Sequence, residues 1–244
     1  MDHWPVASDP SPPFERELSL LSEGELTVVG RVAESSNITL VVEAARGEDY
    51  HWGVYKPEAG ERPLWDFPPG LHARERAAFL LSEHLGWHLV PPTIVRHDAP
   101  AGTGSIQWFV EHDATHYFTL HAESPETHDA LRRLAVFDVL TNNTDRKAGH
   151  VLRDGAGHVW GIDHGLCFAA EPKLRTVIWD FAGEEIHETL LTAVEPLVTH
   201  IPDDVARLLE PEEVAALRRR AARLVRLPRL PRPTSDYQYP WPLI

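Results

Sequence analysis

One cysteine, one methionine and no long apolar run mark this chain first by what it lacks. Cys167 has no second cysteine to pair with, so an internal disulfide is excluded and a reducing, cytoplasmic setting is expected. No stretch approaches the roughly 20 apolar residues that a membrane-spanning helix needs. Residues 1–13 are rich in Pro, Ser and Asp without an apolar core segment; a flexible arm is expected there and a signal peptide is not. Positive charge is scarce as well. Against 37 Asp and Glu stand 23 Lys and Arg, a formal net charge of −14. A surface so acidic repels nucleic acid and anionic lipid, so neither nucleic-acid binding nor stable membrane association is expected. The short run Arg218, Arg219 and Arg220 falls in a helical stretch and reads as a solvated face.

What remains is an ordinary globular balance: 244 residues, 43% hydrophobic and 25% charged. Residues 25–33 and 38–45 are rich in Val, Ile and Thr, and Glu34, Ser35, Ser36 and Asn37 between them read as a hairpin turn. A third strand, 50–56, places Tyr50, Trp52, Val54 and Lys56 on one face. A helix is expected over 71–86, with Ala77, Ala78, Leu81 and Leu85 as its apolar stripe and Gly86 as its stop. Strands are expected at 93–97 and 105–111. Ser124 is expected to cap a long helix that opens at Pro125 and buries Ala130, Leu131, Leu134, Phe137 and Leu140.

That helix leads into a polar loop, 142–150. A hairpin follows, 151–154 and 158–163, turning at Asp154–Gly155, and the rest is helical, most clearly 211–225. The organisation is α+β in two lobes. Residues 14–112 are expected to form a β-rich N-lobe, 113–226 a helical C-lobe, and 227–244 a proline- and aromatic-rich tail that packs on the body or meets a partner.

Two segments carry the chemistry: T-N-N-T-D-R-K-A-G-H over 141–150 and G-I-D-H-G over 161–165. Asp145 leaves a helix into a loop, Asp163 ends a strand, and the hairpin between them returns the two acids side by side. Such a pair can hold a metal and phosphates, the main requirements of phosphoryl transfer. Two loop aspartates can also serve as turn formers. The histidines at 112 and 116 have metal-pair spacing only on a helix, and their segment reads as a strand end and loop.

N-T-D-R followed by I-D-H-G-L-C-F resembles the catalytic loop and metal-binding motif of type II phosphatidylinositol 4-kinases and, more broadly, of the phosphatidylinositol 3-/4-kinase-like family. The chain also resembles small actinobacterial-type kinase-like proteins. V-Y-K-P (54–57), A-R-E-R-A-A-F-L-L (73–81) and V-P-P-T (90–93) extend the likeness over about residues 25–182.

The resemblance implies a small, atypical two-lobed kinase that uses ATP with Mn²⁺ or Mg²⁺. Lys56 would contact the α- and β-phosphates, and Glu75 would hold Lys56. Asp145 would be the base or hydroxyl-positioning acid, and Asp163 the metal ligand. Ser35, Ser36 and Asn37 would cover the phosphates without the usual glycines. The backbone near Val110 and Glu111 would meet adenine. Residues 171–185, with Lys173, Arg175 and Trp179, would dock the acceptor.

The family places an asparagine five residues after the catalytic aspartate as a second metal ligand. His150 stands there instead, and imidazole suits Mn²⁺ better than Mg²⁺. The acidic surface and the absence of a basic amphipathic helix favour a protein hydroxyl or a soluble metabolite over a lipid as acceptor. A nucleotide-binding pseudokinase and an AMP transferase on the same fold are the competing readings.

Overall fold

The computed structural model describes residues 14–32, 37–64 and 67–244. The expected arm, residues 1–13, and the loop residues Ser35 and Ser36 lie outside the described residues.

The first element was not expected. Helix α1 (Glu15–Glu23) carries two acids in its first turn and buries Leu20 and Leu21. Strands β1 (Glu25–Arg31), β2 (Leu40–Arg46) and β3 (Asp49–Pro57) follow. Helix α2 (Leu71–His84) leads to β4 (Thr93–Arg96) and β5 (Gly104–Trp108). The five strands form one antiparallel sheet in the order β1-β2-β3-β5-β4.

Pleating gives the sheet two unlike faces. Val42, Ala44, Tyr55, Ile94 and Ile106 close over Leu20 and Leu21 of α1 as a small core. The opposite face carries Tyr50, Trp52, Val54 and Lys56, with Tyr50 and Trp52 exposed. The third strand therefore alternates as its sequence requires. Gly104 lets β5 lie against the site: a Cβ there would come within 2.5 Å of the Lys56 carbonyl and 2.7 Å of Pro57 Cα.

Beyond the sheet come α3 (Tyr117–Glu123) and α4 (His128–Thr141), then the hairpin β6 (Val151–Arg153) and β7 (Val159–Gly161). Helices α5 (Glu188–Val194), α6 (Asp203–Ala206) and α7 (Pro211–Arg226) complete the element order. A larger core joins these helices to the buried face of α2 and includes Ala77, Leu81, Leu131, Leu134, Phe137, Leu217 and Leu224. Each buried leucine contributes about 1.5–3 kcal/mol. Arg74 of α2 and Glu213 of α7 add a buried ion pair of 2.6 Å across this core.

Two expectations change here. Pro125–Thr127 forms a 3₁₀ turn, and the α-helix begins three residues later than expected, at His128. Ser124 does not cap it: its hydroxyl accepts from Arg153 Nη1, and Thr127 Oγ1 donates to the Ser124 carbonyl. Strand β5 ends at Trp108 rather than 111: Phe109 N–H still donates to the Trp52 carbonyl in register with β3, and the chain leaves the sheet after it.

The tail packs onto the body. Its backbone pairs with the segment before α5: Gly183 N–H donates to the Leu230 carbonyl, Leu230 N–H to Glu184, and Ile186 N–H to Pro228. Trp179 Nε1 donates to the Gln238 carbonyl, and its ring lies against Tyr239. Among the described residues no helix is long and apolar enough to cross a membrane.

Candidate functional site

A lysine on a strand reaches a helix and a loop. Lys56 on β3 donates through Nζ to Glu75 Oε1 of α2 at 2.5 Å and to Asp163 Oδ1 at 2.7 Å. Glu75 is 2% exposed, which for a carboxylate demands partners. Its second oxygen accepts from the His164 backbone N–H at 3.0 Å. One buried carboxylate thus ties the lysine of the sheet to the loop after β7. Burial acts to lower the Lys56 ammonium, but the carboxylates of Asp163 and Glu75 outweigh it and raise the group, keeping it charged.

Asp163 sits in the left-handed region at φ 59°, a conformation Asp tolerates better than bulkier residues. Its Oδ2 lies 3.4 Å from His150 Nε2. Burial acts to raise this carboxyl, but Lys56 and then His150 hold it well below the usual carboxylate range. His150 is pushed down to about 4, chiefly by burial, and is neutral at pH 7.

Asp145 approaches from the C-terminal end of α4. That helix stops at Asn142, which adopts the left-handed φ of 53° and anchors the following chain by donating to the Ala169 and Glu171 carbonyls. Asn143 Oδ1 accepts from Asp145 N–H at 3.0 Å, setting the loop, and Lys147 Nζ lies 3.1 Å from Asp145 Oδ2. Burial raises the Asp145 carboxyl against the opposing pull of Lys147.

A small cavity of about 60 Å³ collects these groups. Asn37, Lys56, Glu75, Asp145 and Asp163 line it together, from five separate segments. His150 touches the edge of the site through Asp163. Val110 and Glu111 do not line this cavity. They follow β5 and lead into the antiparallel bridge between His112 and Asp154. In the 171–185 segment, Lys173 N–H donates to Asn142 Oδ1 and Arg175 N–H to the Asn143 carbonyl, so this stretch runs alongside the loop that carries Asp145.

Beneath the loop lies a network that no motif announced. Arg146 is fully buried; its Nε and Nη2 donate to Asp138 at 3.0–3.1 Å, and its Nη1 donates to the Ile162 carbonyl at 2.7 Å. Asn143 Nδ2 and Thr176 Oγ1 donate to the same aspartate. Arg146 Nη2 also lies 2.6 Å from His164 Nε2, the residue after Asp163. The pair therefore clamps the two aspartate-bearing loops to α4. A signal was present: Asp138 follows Leu134 by four residues and precedes Thr141 by three, on the buried stripe. Glu61 was also missed. It lines the small cavity and caps α2, accepting from Gly70 N–H and His72 N–H.

The donor set suits a divalent ion shared with phosphate. Of the four carboxylates that line the cavity, Glu61 and Glu75 are engaged by backbone N–H groups and Lys56, which leaves Asp145 and Asp163, with the neutral His150 imidazole beside Asp163; among the described residues no group of three or more His, Cys, Asp or Glu could hold a metal alone. Magnesium-type sites commonly use one or two carboxylates and complete their shell with phosphate and water.

No family model matches the chain. The solved structure of the Golgi casein kinase with Mn and ADP bound matches with a TM-score of 0.56 and 12% identity, over 87% of this chain and 74% of that one. The structure of hydra Fam20 with sugar matches with a TM-score of 0.52 and 14% identity, over 84% of this chain and 85% of its own. Identities this low speak for the fold alone, and the fold is kinase-like. By sequence, the chain is 42% identical over 264 aligned positions to Protein Rv2133c of Mycobacterium tuberculosis, covering 93% of this chain and 95% of the relative.

Proposed function

The chain belongs to the same family as Protein Rv2133c, and we propose that it is an ATP-dependent phosphotransferase that moves the γ-phosphate to a hydroxyl group. The observation that carries this reading is the convergence of Lys56, Glu75, Asp163 and Asp145 on one cleft. An ammonium fixed by a buried carboxylate, an ionised aspartate and a second aspartate on a rigid loop are what phosphoryl transfer asks of a protein. The kinase-like fold and a neighbour holding Mn and ADP support the same reading.

On this reading residues 14–112 are the nucleotide-binding lobe, 113–226 the catalytic lobe and 227–244 a docked tail. Lys56 holds the α- and β-phosphates, and Glu75 keeps Lys56 aimed. Asn37, with Ser35 and Ser36, covers the phosphates. The backbone at Val110 and Glu111 receives the adenine edge. Asp145 orients the acceptor hydroxyl and takes its proton. Asp163 and His150 hold the divalent ion, which when bound neutralises charge building on the phosphate oxygens.

His150 Nδ1 accepts from the Lys147 N–H at 3.4 Å. To ligate through Nε2, His150 must carry its proton on Nδ1 and give up that long bond. A nitrogen ligand of this kind favours Mn²⁺ over Mg²⁺. The acceptor is a protein or a soluble metabolite, since an acidic chain without a basic membrane-facing helix has little to hold an anionic bilayer.

Calorimetric titration of ATP with Mn²⁺, with Mg²⁺ and with EDTA tests the reading. Binding is expected only with metal, is tighter with Mn²⁺, and weakens about tenfold or more in Asp163→Ala. ATP that fails to bind under any condition rules the reading out, and equal affinity with the two metals removes His150 from the ligand set. Label on the γ-phosphate separates this activity from AMP transfer, in which label on the α-phosphate reaches the acceptor.

A further inference from the structure

A second, larger cavity lies away from the phosphates' cleft. Its volume is about 1040 Å³, and α7, the 170–175 stretch and the first half of the tail enclose it. Six arginines line it: Arg175, Arg219, Arg220, Arg223, Arg229 and Arg232. Glu185 is its single acidic lining residue. In a chain with a net charge of −14, this is a local reversal of sign.

These cations are not explained by the fold. Among the described residues Arg219, Arg223 and Arg232 have no carboxylate partner, Arg175 meets a carboxylate only through its pull on Asp145, and Arg229 Nη1 donates only to the Gly183 carbonyl. Arg220 donates through Nε to Leu140 O at 2.7 Å and through Nη1 to Ala169 O at 3.1 Å, which fixes its plane. Its remaining nitrogen, Nη2, is buried without a partner. Guanidinium groups gathered around one space repel each other, and a buried donor without a partner is unfavourable. A multivalent anion among them removes the repulsion.

We propose that this cavity binds a small soluble molecule carrying two or more phosphate groups. The charge count sets the valence: one phosphate brings about −1.5 to −2 charges, too few for six arginines opposed by one glutamate. The chemistry sets the group, because the planar fork of arginine matches phosphate oxygens two at a time. The volume, at the upper end of small-molecule sites, leaves room for several phosphates on a carbon skeleton. Net negative charge elsewhere on the chain sets the source, disfavouring a bilayer.

Inorganic tripolyphosphate in EDTA is the probe, titrated calorimetrically into the full chain. It is expected to bind the wild type, and at least about tenfold more weakly to the doubly substituted Arg219→Gln/Arg223→Gln chain. Both residues are exposed on α7, so that variant should keep the wild-type melting temperature, which is measured alongside. Lys56→Met is expected to bind like the wild type. Undiminished binding to the double variant overturns the proposal, as does loss of binding in Lys56→Met, which places the anion in the nucleotide cleft. Cosedimentation of the wild type, but not the double variant, with vesicles of phosphatidylcholine and phosphatidic acid overturns the soluble source. No ATP and no turnover enter the measurement, so it stands or falls apart from the phosphotransfer reading.

Discussion

The two cavities treat positive charge in opposite ways. In the cleft every cation is answered: Lys56 by Glu75 and Asp163, Lys147 by Asp145, Arg146 by Asp138. Around the larger cavity, among the described residues, the arginines make no ion pair with a carboxylate, and Arg220 and Arg229 are held by backbone carbonyls. Paired cations position something inside the protein, whereas unpaired cations wait for something outside it. The cleft is built to keep its geometry without a ligand, and the larger cavity stores charge for one.

The largest expected effect strikes the cleft. Asp145→Asn should lower single-turnover transfer by about 10³-fold, since positioned proton transfer contributes 10²–10⁴, while calorimetric ATP affinity stays within about twofold. A parallel loss of both would reassign Asp145 to nucleotide binding and blur the division of labour between the two aspartates.

Next in size is the clamp beneath. Asp138→Ala leaves Arg146 buried and unpaired and should cost about 3–5 kcal/mol in urea unfolding. The smallest effect belongs to the other cavity. Removing the exposed charges in Arg219→Gln/Arg223→Gln should change stability by no more than about 0.5 kcal/mol, or raise it slightly by relieving repulsion. Should the arginine variant prove as costly as Asp138→Ala, the contrast drawn between the two cavities would be false.

How far this was legible in the sequence depends on how local the cause was. The β-strands follow from short β-branched runs broken by turn residues, and α2 and α4 from apolar stripes, so the α+β layout could be anticipated; its kinase-like character was implied only by the resemblance of the motifs. Helix α1 could not. Its nine residues are mostly polar, and its anchors, the buried Leu20 and Leu21 with Leu18 beside them and the ion pairs of Arg16 with Asp49 and Glu23 with Arg46, all need a sheet that forms from distant segments. Tyr117, Phe118 and Thr119 favour strands locally, yet burial of Tyr117 and Leu120 one turn apart makes α3 a helix.

In the site, Lys56, Asp145 and Asp163 were marked by their motifs, and the structure brings them to one cavity together with Glu75 and Asn37. Arg146 and Asp138 were not marked as a pair, because charged residues default to the surface and only the turn of the loop back beneath α4 reverses that. The arginine cavity was missed for a related reason. Arg218, Arg219 and Arg220 read as a solvated run, and Arg175, Arg229 and Arg232 join that neighbourhood only when the tail folds back.

Cys167 turns the loop after Asp163 into something that can be timed. Its thiol is fully buried, its backbone N–H donates to the His164 carbonyl, and burial pushes its acidity far from the reactive range. A disulfide reagent can reach it only when the packing around that turn comes apart. Since the sequence holds no other cysteine, every labelled molecule counts one opening at one place. The slow chemistry of a single thiol is thus a built-in clock for the breathing of the segment that carries Asp163.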